Sequence, residues 1–188
     1  MDVRMVRLQE ADLALVMEWR MRSDITKFMN TDPHLTIEGQ RRWFSGLQRD
    51  DSQIYWVIWL EDAPIGVIFA SIGMIYLTDI DQVNQRCSWG YYIAVREKRS
   101  LKLALYLEWS LYDYVFDVLG LHKLCNETFV ENQPVIRLHQ LCGSKQDGIM
   151  RQHIYKAERF YDVAVGSILK EEWAEKKKII KYEPFPFV

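Results

Sequence analysis

The segment from Cys87 to Val130 constrains the fold more than any other part of the chain. Leu101 to Leu119 carries the strongest helical periodicity. Ala104, Leu107, Leu111, Val115 and Val118 fall on one stripe, with Leu105, Tyr112, Phe116 and Leu119 beside it. Lys102, Glu108, Asp113 and Asp117 read as its polar side, and Gly120 is placed to end it in a left-handed conformation. Strand-like segments flank this helix at Cys87 to Val95 and at His122 to Val130. A strand, a helix and a second strand in that order call for a parallel pair joined by a crossover.

The rest of the chain fits elements around this unit. Val3 to Leu8 reads as a first strand, and Ala11 to Arg22 as an amphipathic helix through Leu13, Val16, Met17 and Met21. Thr36 is a natural N-cap for a helix to about Arg49, with Ile37, Trp43, Phe44 and Leu47 on its buried side. Ile54 to Leu60 and Ile65 to Thr78 read as a hairpin turning at Glu61-Asp-Ala-Pro64, and Asp79 to Arg86 as a polar turn. Gln133 to Cys142 is a short helix with Pro134 in its first turn and Gly143 at its end. Gly148 to Leu169 reads as two strands around Lys156-Ala-Glu-Arg159. The order β-α-α-β-β-β-α-β-α-β-β predicts a mixed α/β sheet with helices on both faces. Residues 1–173 form one domain in this reading, and 174–188, charged and then proline-rich, a C-terminal tail with no pattern that calls for an element.

Composition narrows the function classes. The 188 residues suit one domain, and 24 basic against 26 acidic residues leave no global charge to drive binding to nucleic acid or an anionic membrane. The longest uncharged run, Ala63 to Thr78, is shorter than the roughly 18 residues of a spanning helix and is broken by Pro64, Gly66 and Gly73. The first residues lack a signal-peptide pattern. Cys87, Cys125 and Cys142 are an odd number and far apart, so they read as buried thiols in a reducing cytoplasm rather than disulfides or a zinc site. His34, His122 and His153 lack metal-ligand spacing. Asp79-Ile-Asp81 is better explained as a turn than as a metal-binding D-x-D, so no metal is expected. A small-molecule substrate is the partner expected, with a homodimer left open.

The joint before the strong helix is the one concentrated charge feature. Residues 96–102 hold four basic side chains and one acidic, a local net charge of +3. A strand leading by a short turn into a helix presents free N–H groups and the positive end of the helix dipole, which together favour phosphate. The alternative is a solvated, charged helix start.

The chain resembles the acetyl-CoA-dependent N-acetyltransferases of the GNAT superfamily over nearly its whole length. The matching segments are Glu18-Trp-Arg20, Thr36-Ile-Glu38, Arg42-Trp-Phe44, Trp89-Gly-Tyr-Tyr-Ile93, Leu119-Gly-Leu-His-Lys-Leu124, Glu131-Asn132 and Val135-Ile-Arg-Leu-His139. Late in the chain come Gly148-Ile-Met-Arg151, Phe160-Tyr-Asp162 and Ser167-Ile-Leu-Lys-Glu-Glu-Trp173. The resemblance is strongest to the branch that holds ribosomal-protein N-terminal acetyltransferases and nucleotide-sugar acetyltransferases of the pseudaminic acid pathway. It implies a mostly antiparallel sheet with one splayed parallel strand pair and pantetheine in the wedge. A backbone N–H near Ile93 would polarise the thioester carbonyl. Val95 and the turn through Lys98, Arg99, Ser100 and Leu101 would complete the acetyl-CoA site, with Asn132 against the pantetheine arm.

The resemblance also implies acid and base roles. His139 matches the position where the family often carries a tyrosine as the acid, and Glu131 is the candidate base. The alternatives are a packed, hydrogen-bonded histidine and an exposed strand-end carboxylate. Arg20 and Met29 match acceptor-pocket positions of the nucleotide-sugar branch, with Trp89 and Tyr91 joining them. Arg20 would meet a nucleotide phosphate or pair with the acidic helix face beside it. The implied acceptor is the 4-amino group of a UDP-linked amino sugar. The alternatives are a protein N-terminal or other small amine, and a degenerate member that only binds. One departure bears on this choice: Arg96-Glu-Lys-Arg-Ser-Leu-Lys-Leu-Ala104 lacks the glycines usual in the family's pyrophosphate turn.

Overall fold

A computed structural model describes residues 2–61 and 69–188. The elements are β1 (Asp2–Arg7), α1 (Leu13–Arg20), α2 (Ser23–Thr26), α3 (Ile37–Leu47), β2 (Ile54–Glu61), β3 (Phe69–Asp81) and β4 (Arg86–Ile93). They continue with α4 (Leu101–Asp113), β5 (Lys123–Phe129), α5 (Gln133–Cys142), β6 (Lys145–Lys156), β7 (Arg159–Leu169) and α6 (Lys170–Lys177). The seven strands form one sheet in the order β1-β2-β3-β4-β5-β7-β6. Every neighbouring pair is antiparallel except β4 with β5. The expected mixed sheet with its crossover is therefore present. The hairpin turn expected at Glu61 to Pro64 lies mostly outside the described residues.

Alternation along the strands divides the core between two faces. Trp56, Ile58, Trp89 and Leu124 meet α4 and Trp173 of α6 on one face. Val57, Met74 and Tyr92 meet α1 and α3 on the other, through Leu13, Val16, Trp19 and the half-buried Trp43 and Phe44. The helix ends follow the local chemistry. Thr36 Oγ1 accepts from Gly39 N at 3.1 Å and Ser100 Oγ from Leu103 N at 3.2 Å, while Gly120 and Gly143 take φ of 70° and 115°.

Three local expectations are corrected. The helix expected from Ala11 to Arg22 is a 3₁₀ turn at Glu10–Asp12, then α1, then the separate short α2. Val118 does not join the apolar stripe and is 68% exposed. After α4 the chain makes a π-turn (Tyr114–Val118), in which Leu119 N donates to Tyr114 O at 3.0 Å. This wider turn shifts the helical phase and carries Val118 outward. Glu108 and Asp113 do not form a polar surface. Glu108 is fully buried, and Asp113 accepts from Trp173 Nε1 (2.9 Å), Lys177 Nζ (2.5 Å) and Tyr182 Oη.

The last residues pack along β1. Met5 N donates to Pro186 O at 2.9 Å, Arg7 N to Val188 O at 2.8 Å, and Val188 N to Met5 O at 2.8 Å. Phe187 lies against Trp56, ring centroids 4.9 Å apart, and Phe185 is buried beside Tyr106. Truncating a buried phenylalanine removes apolar contact and leaves a cavity. Phe185→Ala is expected to lower unfolding stability by about 3 kcal/mol, measured by urea denaturation.

Candidate active site

The site begins where the parallel pair fails. β4 and β5 pair only at Arg86↔Lys123, Cys87↔Leu124 and Ser88↔Cys125. Beyond these, Trp89 to Ile93 pair only with β3, and Asn126 to Phe129 only with β7. Ala94 N donates to Ile72 O at 2.7 Å, toward the β3 side. Because backbone groups alternate sides along a strand, the N–H groups of Tyr91 and Ile93 face the gap that β5 has left. Donors at a strand edge are a ready template for the amides of an extended ligand.

A cavity of about 830 Å³ occupies this wedge. Tyr91, Ile93, Arg99, Ser100, Leu101 and Asn132 line it on the strand and helix-start side. Arg20, Met29, Trp89 and His139 line it as well, so most of the residues expected from the sequence share one cavity. Gly90 is required beside them, because a Cβ there would lie 2.5 Å from Tyr76 Oη, another lining group.

The turn before α4 holds its shape without glycine. Arg96–Lys98 form a 3₁₀ turn, and no residue from Arg96 to Lys102 has a positive φ. Asp24 of α2 anchors the turn. It accepts from Arg22 Nε and Nη2 at 3.0 Å each, from Arg96 Nε at 3.1 Å and from Arg99 Nη2 at 3.3 Å. The bonds from Arg22 and then Arg96 hold its carboxyl well below the usual carboxylate range. Arg99 Nε also donates to Ile93 O at 2.8 Å, tying the turn to the end of β4. Side-chain bonds thus fix this turn, and the N-terminus of α4 with Arg99 beside it remains open to the cavity for a phosphate.

Other expected residues are placed differently. Glu131 is exposed, pairs with Arg159 at 3.8 Å and does not line the cavity. It follows β5, where the chain has already turned toward α5, so the strand no longer aims it inward. Val95 uses its backbone within the fold, donating to Ile72 O at 3.2 Å and accepting from Lys98 N at 3.1 Å, and neither Val95 nor Lys98 lines the cavity. Asp81 accepts from Asn84 N and Nδ2 at 2.8 and 2.6 Å, closing its own turn. Cys87 and Cys142 are buried, and burial pushes the Cys87 thiol up to about 12.

The structure adds residues that the sequence did not mark. Glu127 on β5 lines the cavity, and its side chain makes no ion pair or hydrogen bond among the described residues. Lys156, at the tip of the β6–β7 hairpin, donates to Thr26 O (2.6 Å) and Met29 O (2.9 Å), holding the loop that carries Met29. Glu108 reaches His139 Nδ1 at 3.0 Å from the buried side of α4. A long-range pair of this kind leaves no periodic signal in a sequence.

Charge is distributed unevenly around the cavity. Arg20 has no ion pair among the described residues, and its Nε is buried without a hydrogen-bond partner. The same holds for Tyr92 Oη and Trp89 Nε1, both of lining residues. Burial raises the Tyr76 and Tyr92 phenols while the Arg20 charge acts against that rise. Buried polar atoms without partners are rare in folded proteins. Arg20 Nε and Tyr92 Oη belong to the α1 side of the sheet and Trp89 Nε1 to the α4 side, so the cavity carries such atoms on both sides.

Residues 2–145 match the acetyltransferase (GNAT) domain family, and the chain belongs to it. It is an N-acetyltransferase that takes its acetyl group from acetyl-CoA. Among its relatives is the acetyltransferase PseH of Campylobacter jejuni, 26% identical over 134 residues, covering 71% of this chain and 76% of that protein. Another is the spermidine N(1)-acetyltransferase of Vibrio cholerae, 22% identical over 171 residues, 91% of this chain and 95% of the relative. A crystal structure of the Vibrio cholerae spermidine N-acetyltransferase in complex with CoA and spermine superposes with a TM-score of 0.83 at 21% identity, covering 92% of this chain and 98% of that one. Among the described residues no helix is long and apolar enough to cross a membrane, and no group of three His, Cys, Asp or Glu is placed to hold a metal ion.

The donor site fits these residues: open strand-edge donors, a helix N-terminus and a guanidinium line one cavity. Charge-assisted hydrogen bonds contribute about 1.5–3 kcal/mol each. Arg99→Ala is expected to weaken acetyl-CoA binding at least tenfold by calorimetry, with the loss shrinking as ionic strength rises.

Proposed function

We propose that the acceptor is a primary amine on a molecule that also carries an anionic group, best matched by the 4-amino group of a UDP-linked amino sugar. The observation that carries this reading is Arg20, a cation on the cavity wall whose buried Nε has no partner. A half-buried guanidinium with an unpartnered Nε is costly, and a phosphate or carboxylate supplies both the charge and the acceptors that it lacks. A polyamine brings more positive charge to the same wall and leaves Arg20 unmet. The relative PseH and the resemblance to the nucleotide-sugar branch support the same choice.

Acetyl-CoA supplies an activated acetyl thioester. The chain's own work is to orient it, receive the amine in neutral form and give a proton to the departing sulfur. The Ile93 N–H, facing the gap, is the donor for the carbonyl oxygen on which negative charge develops. His139, buried on α5 with its ring against Trp89 (centroids 5.2 Å), is the acid in this reading. Of the carboxylates that line the cavity, Asp24 is committed to three guanidinium groups and Asp79 accepts from Thr78 Oγ1, which leaves Glu127 as the group that takes up the amine proton, directly or through water.

Turnover assays with a UDP-linked 4-amino sugar, spermidine and a peptide N-terminus test the acceptor. The sugar is expected to react fastest, and Arg20→Ala to raise its KM about tenfold or more with the acetyl-CoA KM unchanged. Faster turnover of spermidine, unaffected by Arg20→Ala, overturns the reading. On the base, Glu127→Gln is expected to lower kcat about a hundredfold, while Glu131→Gln leaves it within a factor of two. Steady-state kinetics at neutral pH reads both.

A further inference from the structure

Glu108 is a carboxylate taken wholly out of water on the face of α4 that meets β4 and α5. Its Oε1 lies 3.0 Å from His139 Nδ1, and its Oε2 accepts from Tyr112 Oη at 3.2 Å. The charge of Glu108 also acts on Tyr91 of β4 and Cys142 of α5. Burial first, and then the Glu108 charge, raise the Tyr91 and Tyr112 phenols and the Cys142 thiol, so all three are neutral groups around it. Lys176 of α6 acts on Cys142, but no Lys or Arg pairs with Glu108 among the described residues. His139 is its single ionisable base.

A buried carboxylate beside an imidazole accepts from the ring N–H turned toward it, which fixes the ring's orientation and tautomer. Among the described residues the bond to Glu108 is also the ring's one side-chain hydrogen bond, and His139 lines the cavity. We propose that Glu108 is a positioning residue: it holds His139 with Nδ1–H turned inward, so that Nε2 faces the cavity with the proton that the departing sulfur takes up. This rests on the acetyl-transfer reading with His139 as the acid.

The step balances. The amine nitrogen forms the new bond to the acetyl carbon as the carbon–sulfur bond breaks, and the electron pair goes to sulfur. Sulfur takes the Nε2 proton. His139 is left neutral with Nδ1–H still bonded to the Glu108 carboxylate, and the proton lost by the amine to Glu127 passes on by way of water to restore it. Orientation of an imidazole by a buried carboxylate is a general device for fixing which ring nitrogen does the chemistry.

Two measurements test this, one of them independent of turnover. Nitrogen-15 NMR of the unliganded protein, with the His139 ring assigned by its loss in His139→Gln, is expected to show Nδ1 protonated across the neutral range. An Nδ1 that is a bare acceptor, bonded by a protonated Glu108, overturns the proposal. In kinetics, Glu108→Gln keeps the shape and removes the charge. It is expected to lower kcat tenfold to a hundredfold, with the acetyl-CoA KM unchanged and the high-pH fall in rate beginning at lower pH than in the parent. Adding it to His139→Gln is expected to cost nothing further. A Glu108→Gln enzyme with the parent kcat and pH profile also overturns the proposal. If the parent turns over no amine, the acetyl-transfer reading fails by itself, and the ring protonation still decides where Glu108 places the proton.

Discussion

Everything at this site depends on two parallel strands that stop pairing after three residues. A continued ladder from Ser88 and Cys125 would satisfy the backbone groups of β4 and close the wedge. Its interruption leaves a strand edge in the middle of a sheet, an arrangement that folded proteins otherwise avoid because unpaired N–H groups are costly. The cost is offset by what surrounds the gap. β3 and β7 keep the outer edges of both strands paired, and Trp89 stacks on Tyr91 with ring planes 2° apart within the wedge. The edge is therefore rigid before any ligand arrives, which lowers the ordering cost of binding an extended arm.

The charge arrangement divides along the same wedge. At the α4 end, Asp24 gathers three guanidinium groups and ties the turn to α2, so positive charge is fixed by hydrogen bonds rather than by tight backbone turns. This gives a physical account of how a glycine-free turn keeps a phosphate-ready shape: the geometry that glycine would permit is replaced by side chains that hold an ordinary backbone in place. At the other end Arg20 makes no ion pair among the described residues. Three guanidinium groups thus share one carboxylate at the first end, and a single cation stands unpaired at the second.

The strand–helix–strand unit, the cap at Thr36 and the helix-ending glycines at 120 and 143 were legible because each rests on local chemistry. So was the grouping of Arg20, Met29, Trp89, Tyr91, Ile93, Arg99, Ser100, Leu101, Asn132 and His139 around one region, which the resemblance carried. The failures share a cause in contacts made across elements. Glu108 sits at helical spacing among polar residues and reads as solvent-facing, yet α5 brings a histidine to it and the helix buries it. Val118 was misplaced by one wide turn that no composition announces. Glu131 and Glu127 lie four residues apart, and only where β5 ends decides which of them faces the cavity. The Asp24 anchor joins residues more than seventy positions apart.

These features bear on how one fold serves different amines. The splay and the helix start address the donor, and nothing in them reads the acceptor. Discrimination between acceptors has to come from the far wall, where a difference of one charge is worth far more than a difference in shape, because the wall is partly dry and screening is weak. The relative that acts on spermidine meets a cationic acceptor on a similar fold. In the proposed reading, a wall that carries Arg20, with Tyr76 and Tyr92 kept neutral by burial, sets a cation where a polyamine would bring its second charge, and the carboxylate of Glu127 serves the reacting amine. Specificity of the proposed kind works by penalty as much as by attraction: a polyamine would leave the half-buried Arg20 guanidinium unmet beside a second positive charge.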